Sequence, residues 1–135
     1  MQLANFGAVL SFAIEFEQEL GDFYRKMMVL APASLSASIQ QLADGGEKRK
    51  KFIERARREQ IAEMILEPIS GYESDDYPLG AAPAAGADAA TFQAAIRQTE
   101  KLAADFYTLG AQKLSVPEVK RLFIRLAKEH AAQAT

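Results

Sequence analysis

Four residues in this chain have the chemistry to matter inside a helical core: Glu17, Arg49, Glu100 and His130. Each falls on a stripe of apolar residues recurring at three- and four-residue spacing, which marks one face of a helix. An unpaired charge in such a place is costly, so these groups must be hydrated, bound to a metal ion or paired with one another. The two glutamates belong to an internal repeat. Asp22-Phe23-Tyr24 recurs as Asp105-Phe106-Tyr107, and each copy has a Glu seven residues before its Tyr. The same offset of 83 residues links Glu17 to Glu100 and Tyr24 to Tyr107, as expected of two related helical hairpins that each carry one carboxylate at the same depth. A buried carboxylate pair with an imidazole nearby is a donor set for a metal ion; the same pair facing a guanidinium is an ion-pair network.

The 135 residues fit a single domain, 1–135, and are enough to bury a core. A net charge of −2 points to neither nucleic acid nor an anionic membrane as a partner. With no cysteine, the chain cannot form a disulfide framework, a thiolate nucleophile or an iron–sulfur cluster, so a metal site would draw on carboxylates and the single His130. The apolar stretch from Leu3 to Ile14 has no basic segment before it and runs into Glu15, Glu17 and Glu19, so it reads as the start of a helix. No uninterrupted apolar run approaches the roughly 18 residues of a membrane span. A cytoplasmic protein is the expectation.

The elements that must position the four residues follow from periodicity and punctuation. Leu10, Ala13, Glu17, Leu20, Tyr24 and Met28 define a first helix over 5–30, ended by Pro32. Ser34 is the expected cap of a second helix over 35–66, with the stripe Leu35, Ile39, Leu42, Gly46, Arg49, Ile53 and Ala56 continuing through Ile61. Residues 67–87 hold several prolines and glycines and read as a long loop. Asp88 caps a third helix over 89–112, with Phe92, Ile96, Glu100, Ala103, Tyr107 and Ala111 on its stripe. Ser115-Val116-Pro117-Glu118 reads as a capping box for a fourth over 116–134, with Val119, Leu122, Phe123, Leu126, His130 and Gln133. The fold class is all-α: an antiparallel four-helix bundle of two related hairpins joined by a long crossover loop.

This pattern resembles the ferritin-like superfamily and, within it, the rubrerythrin-like proteins. The resemblance covers nearly the whole chain and rests on Ala13-Ile14-Glu15-Phe16-Glu17 leading to Asp22-Phe23-Tyr24, and on its second copy from Ile96 to Tyr107. Leu42-Ala43 and the run from Val119 to Ala127 extend it to the partner helices. The resemblance implies a ferritin-like bundle with a di-iron site, in which Glu17 and Glu100 take the places of the single glutamates. The family's two Glu-x-x-His pairs would fall on Gly46 with Arg49 and on His130 with Gln133, and neither pair is present. Two bridged irons need about four carboxylates and two imidazoles, so the di-iron ligand set is incomplete.

Two readings of the four residues follow. In the first, Arg49 and His130 hold Glu17 and Glu100 in a core ionic network, no cofactor is expected, and the protein is a non-catalytic structural or interaction protein. In the second, Glu17, Glu100 and His130, completed by water or Gln133, bind iron or another divalent metal such as manganese in an oxidoreductase that handles iron or peroxide. Gly45 and Gly46 in mid-helix read either as a small pocket beside the site or as a kink or close approach of a neighbouring helix, the latter preferred. Tyr24 and Tyr107 read as packing rings whose hydroxyls can reach a core carboxylate. The basic run between Glu47 and Glu59 reads as a solvated helix face, because Glu47 and Glu54 pair with Lys51 and Arg58 at i,i+4. Phe52, Ile53, Ile61, Met64 and Ile65 are expected to project past the fourth helix, covered by the loop with Tyr72 and Tyr77 or by a second chain in a homodimer. No protein partner other than a second copy is indicated.

Overall fold

The computed structural model describes residues 1–60 and 67–135. Four helices dominate: α1 (Phe6–Leu30), α2 (Ser36–Glu59), α3 (Ala89–Lys113) and α4 (Pro117–Gln133). Among the described residues β structure is limited to one antiparallel bridge between Gln2 and Glu73. The helices pack chiefly as two hairpins, α1 on α2 and α3 on α4.

Local chemistry explains most of the helix ends. The Asn5 side chain accepts a hydrogen bond from the Ala8 N–H, and the Asp88 carboxylate accepts from the Thr91 N–H, so α1 and α3 each begin on a side-chain cap. Pro117 sits in the first turn of α4, where a missing N–H costs nothing. Two expected caps are absent. Ser34 lies within a 3₁₀ turn, Ala33–Leu35, and α2 starts at Ser36 behind Leu35, which offers no side-chain cap. The position before α4 is taken by Val116, and the Ser115 hydroxyl donates instead to Glu67, tying the start of α4 to the long connection. The second helix stops short of the expected 66: α2 ends at Glu59, where Gln60 leaves the helical conformation as its C-cap, its N–H donating to the Ala56 carbonyl. Ile61, Met64 and Ile65 lie outside the described residues.

The core runs the length of the bundle. One end is filled by Leu20, Tyr24, Met27, Leu35, Ile39, Ala43 and Phe92. Met27 rather than Met28 completes the α1 stripe, and Met28 only flanks that cluster. At the other end Phe106 is surrounded by the rings of Phe12, Phe16, Tyr72, Tyr77, Tyr107 and Phe123. Burying each such ring contributes about 1.5–3 kcal/mol relative to leaving it in water. Ile53 is fully buried in the same cluster as Tyr72 and Tyr77 of the connection, one of the two covers expected for it; Phe52, one residue earlier and turned about 100° around the helix, is the exposed neighbour.

The connection after α2 is held to the helices by its own hydrogen bonds. Leu3 N–H donates to the Tyr72 carbonyl, Ile69 N–H to Ala4 and Ser74 N–H to Met1, so the N-terminal strand-like segment and this loop brace one another. Tyr72 is fully buried, and its hydroxyl donates to the Phe106 carbonyl at 2.7 Å. Gly110 makes that approach possible: a Cβ there would lie 2.6 Å from both the Tyr72 hydroxyl and the Phe123 ring.

Candidate functional site

Between the two apolar ends lies a polar layer to which all four helices contribute. Glu17 from α1, Arg49 from α2, Glu100 from α3 and His130 from α4 are all buried, Arg49 the least so at 9 % exposed. The Arg49 Nε donates to Glu17 Oε1 at 2.9 Å. His130 lies between the two carboxylates, with Nδ1 2.9 Å from Glu100 Oε1 and Nε2 3.1 Å from Glu17 Oε2. The Tyr107 hydroxyl donates to Glu17 Oε2 at 2.6 Å, and the Tyr24 hydroxyl to Glu100 Oε2 at 2.7 Å. Every oxygen of both carboxylates therefore has a donor, as a buried carboxylate requires.

The tyrosines exchange partners across the repeat: each serves the glutamate of the other copy. Seven residues of helix rise about 10.5 Å, too far for a tyrosine to reach the glutamate of its own copy. When α1 and α3 lie antiparallel, that same rise sets Tyr24 level with Glu100 and Tyr107 level with Glu17. The spacing contained this signal, although it fixes the pairing only once the two helices are known to be adjacent.

Charge and protonation follow from the geometry. An ionised carboxylate only accepts hydrogen bonds, so His130 satisfies both neighbours when both ring nitrogens carry protons. Burial alone would lower the His130 pKa, but its hydrogen bonds to Glu100 and Glu17, with the charges of both, outweigh that and raise it. Burial would likewise raise Glu17, yet the His130 hydrogen bond, the charges of His130 and Arg49 and the Tyr107 hydroxyl together hold it below the usual carboxylate range. Arg49 is pushed up in the same contest, burial opposing and Glu17 prevailing. Burial and then the adjacent glutamate keep both tyrosine hydroxyls protonated, with pKa values well above the ordinary phenol. With His130 protonated, the two cationic side chains, Arg49 and His130, match the two carboxylates in number. The His130 ring also lies parallel to Tyr107, centroids 5.5 Å apart, which fixes its orientation.

As arranged, these side chains do not fit a metal ion. Ligation needs a lone pair on an imidazole nitrogen, and both nitrogens of His130 are directed at carboxylates. A cation beside Glu17 would also meet the guanidinium already there. Among the described residues no group of three or more His, Asp or Glu side chains is arranged to hold one. Gln133 is not brought to the carboxylates; it lies on the wall of a groove outside the layer.

The adjacent glycines have separate tasks. A Cβ on Gly46 would approach the Glu17 carbonyl oxygen to 3.3 Å, so Gly46 permits close packing of α2 on α1 at the level of the site. A Cβ on Gly45 would lie 3.0 Å from Arg49 Nη1, so Gly45 gives the guanidinium its room. Neither a protein-family model, nor a curated protein, nor a solved structure matches this chain. Among the described residues no helix is long and apolar enough to cross a membrane.

Proposed function

We propose that this chain is a rubrerythrin-like member of the ferritin-like superfamily in which an ionic network takes the place of the di-iron centre, and that it acts as a non-catalytic structural or interaction protein. The observation that carries this reading is His130, held by one carboxylate on each ring nitrogen while Arg49 takes a third carboxylate oxygen. Two positive side chains then stand where metal charge would otherwise balance the glutamates. The exchange of tyrosines between copies supports descent from a duplicated hairpin, and the stretch between the end of α2 at Glu59 and the start of α3 at Ala89 has the length to cross the bundle between hairpins. Close packing at Gly46 weighs against an easy return of a carboxylate ligand at that position. In this reading the protein works as a homodimer, for which the partly exposed Phe52 and Ile124 offer apolar surface.

The test is elemental analysis of protein purified without chelator, followed by ultraviolet–visible spectra after ferrous iron is added in air. The expected result is no stoichiometric metal and no oxo-bridged iron band. Two irons per chain with that band would replace this reading with a metal-dependent oxidoreductase using Glu17, Glu100 and His130. Light scattering on the eluting protein checks the dimer, and a monomer at all concentrations would remove it.

A further inference from the structure

A groove of about 680 Å³ opens beside the polar layer, between the first half of α2, the start of α3 and the end of α4. Its volume lies in the range of small-molecule sites. Leu35, Leu42 and Ile96 supply apolar wall, and Ser38, Gln41, Gln93 and Gln133 supply neutral hydrogen-bonding groups. Gly45 and Arg49 both line it, so the missing side chain at Gly45 lets the groove reach down to the guanidinium.

That guanidinium has unused capacity. Among the described residues its one hydrogen bond runs from Nε to Glu17, and Nη2 is buried with no partner. A buried donor without a partner is destabilising and calls for an acceptor. A second guanidinium, Arg97, lines the same groove and forms no ion pair among the described residues. The one acidic side chain on the wall, Glu129, has Arg125 3.9 Å away as its counter-charge.

We propose that this groove binds a small monocarboxylate with an apolar body, its carboxylate held by Arg49 and Arg97 and its chain against Leu35, Leu42 and Ile96. Charge decides between carboxylate and phosphate. Glu17 already offsets Arg49 and Arg125 offsets Glu129, so the surplus is about one positive charge, from Arg97. A dianion would be over-charged here, whereas a planar carboxylate matches the fork of a guanidinium. Protein covers Nη2, so a ligand oxygen meets Nη1 first and reaches Nη2 by a small turn of the guanidinium. The proposal needs only the groove and its two arginines, and holds whether or not the layer descends from a metal site.

The experiment titrates hexanoate into the full chain by calorimetry, with hexanol and inorganic phosphate as comparison probes, and follows backbone amide shifts by NMR. Expected are saturable hexanoate binding, shifts centred on Gly45, Arg97 and Gln133, and at least tenfold weaker binding of both other probes. Arg97 is exposed, so Arg97→Gln keeps the fold and should weaken hexanoate by roughly ten- to a hundredfold, the scale of a charge-assisted contact. Leu42→Trp, which fills the groove without touching either arginine's charge, should abolish binding. Equal affinity for hexanol, preference for phosphate, no saturable hexanoate binding, or binding unchanged in Arg97→Gln would each overturn the proposal.

Discussion

Phe106 and Glu17 both sit where the two hairpins meet, and both are almost wholly buried, yet their surroundings work differently. Around Phe106 six aromatic rings approach with centroids 4.9 to 6.1 Å away, in stacked, tilted and edge-on arrangements. Such contacts are individually weak, numerous and tolerant of small shifts. Around Glu17 the partners are few and directional: a guanidinium, an imidazole and a phenol, each assigned to a particular oxygen. Shifting one helix by a residue would strand several charges at once. The aromatic end therefore supplies burial, and the polar layer supplies register between the four helices.

Breaking either region by truncation should have the largest effects. Phe106→Ala removes the ring at the centre of its cluster and should cost about 3–5 kcal/mol by urea denaturation. Glu17→Ala should cost a similar ~3–5 kcal/mol, because Arg49 loses its ion-pair partner and His130 keeps only Glu100. The two regions separate when the whole layer is made apolar. Joint replacement by Glu17→Leu, Arg49→Met, Glu100→Leu and His130→Leu, with Tyr24→Phe and Tyr107→Phe so that no buried hydroxyl loses its acceptor, should leave stability unchanged or higher, since the desolvation of four charges is removed together. A loss as large as that of Glu17→Ala would show that the network adds net stability and not chiefly register.

pH sharpens the same contrast. The folded His130 pKa is raised above its ordinary 6.5, so its contribution is complete below about that pH and is lost as pH rises through the folded value. Glu17 is lowered from 4.5, so its contribution is complete above that pH and is lost as pH falls through the folded value. Between these two ordinary values both are intact. At pH 6, His130→Gln should cost about 1.5–3 kcal/mol, the scale of a hydrogen bond to a charged group. The gap from the parent should narrow on the alkaline side, as the parent loses its imidazolium. Phe106→Ala should instead stay parallel to the parent across the same range.

Gly110 is the junction where the aromatic end admits the long connection. Gly110→Ala puts a methyl 2.6 Å from both the Tyr72 hydroxyl and the Phe123 ring, and should cost about 1–3 kcal/mol through overpacking. Hydrogen exchange should show the loss first at Leu3, Ile69 and Ser74, whose amides tie the connection to the N-terminal segment. Uniform loss across α1 to α4 would mean that this connection is an equal part of the core.

The two regions also differ in how much of them can be read in advance. The polar layer is visible because a charge on an apolar stripe breaks a pattern, so Glu17, Arg49, Glu100 and His130 stand out one by one. Their mutual contacts depend on which helices are neighbours, which periodicity does not encode. The bond from the Tyr72 hydroxyl to the Phe106 carbonyl is less legible, since it depends on segments brought together from distant parts of the chain. The groove at Gly45 is hidden for a further reason: a glycine in mid-helix signals space without saying what occupies it.

The smallest predicted effects concern two serine- or aspartate-led helix starts that look alike in sequence. Asp88 receives hydrogen bonds from both the amide and the hydroxyl of Thr91, and its carboxyl is held below the usual range, first by the hydroxyl. Asp88→Ala should cost about 1 kcal/mol and fray the first turn of α3 in amide exchange. Ser115 caps nothing, because Pro117 and Val116 shift the start of α4 past it and its hydroxyl turns to the exposed Glu67. Ser115→Ala should therefore cost no more than about 0.5 kcal/mol, the scale of an ordinary surface change. Exchange should quicken beside Glu67 and not in the first turn of α4, and fraying of α4 would restore Ser115 as a cap.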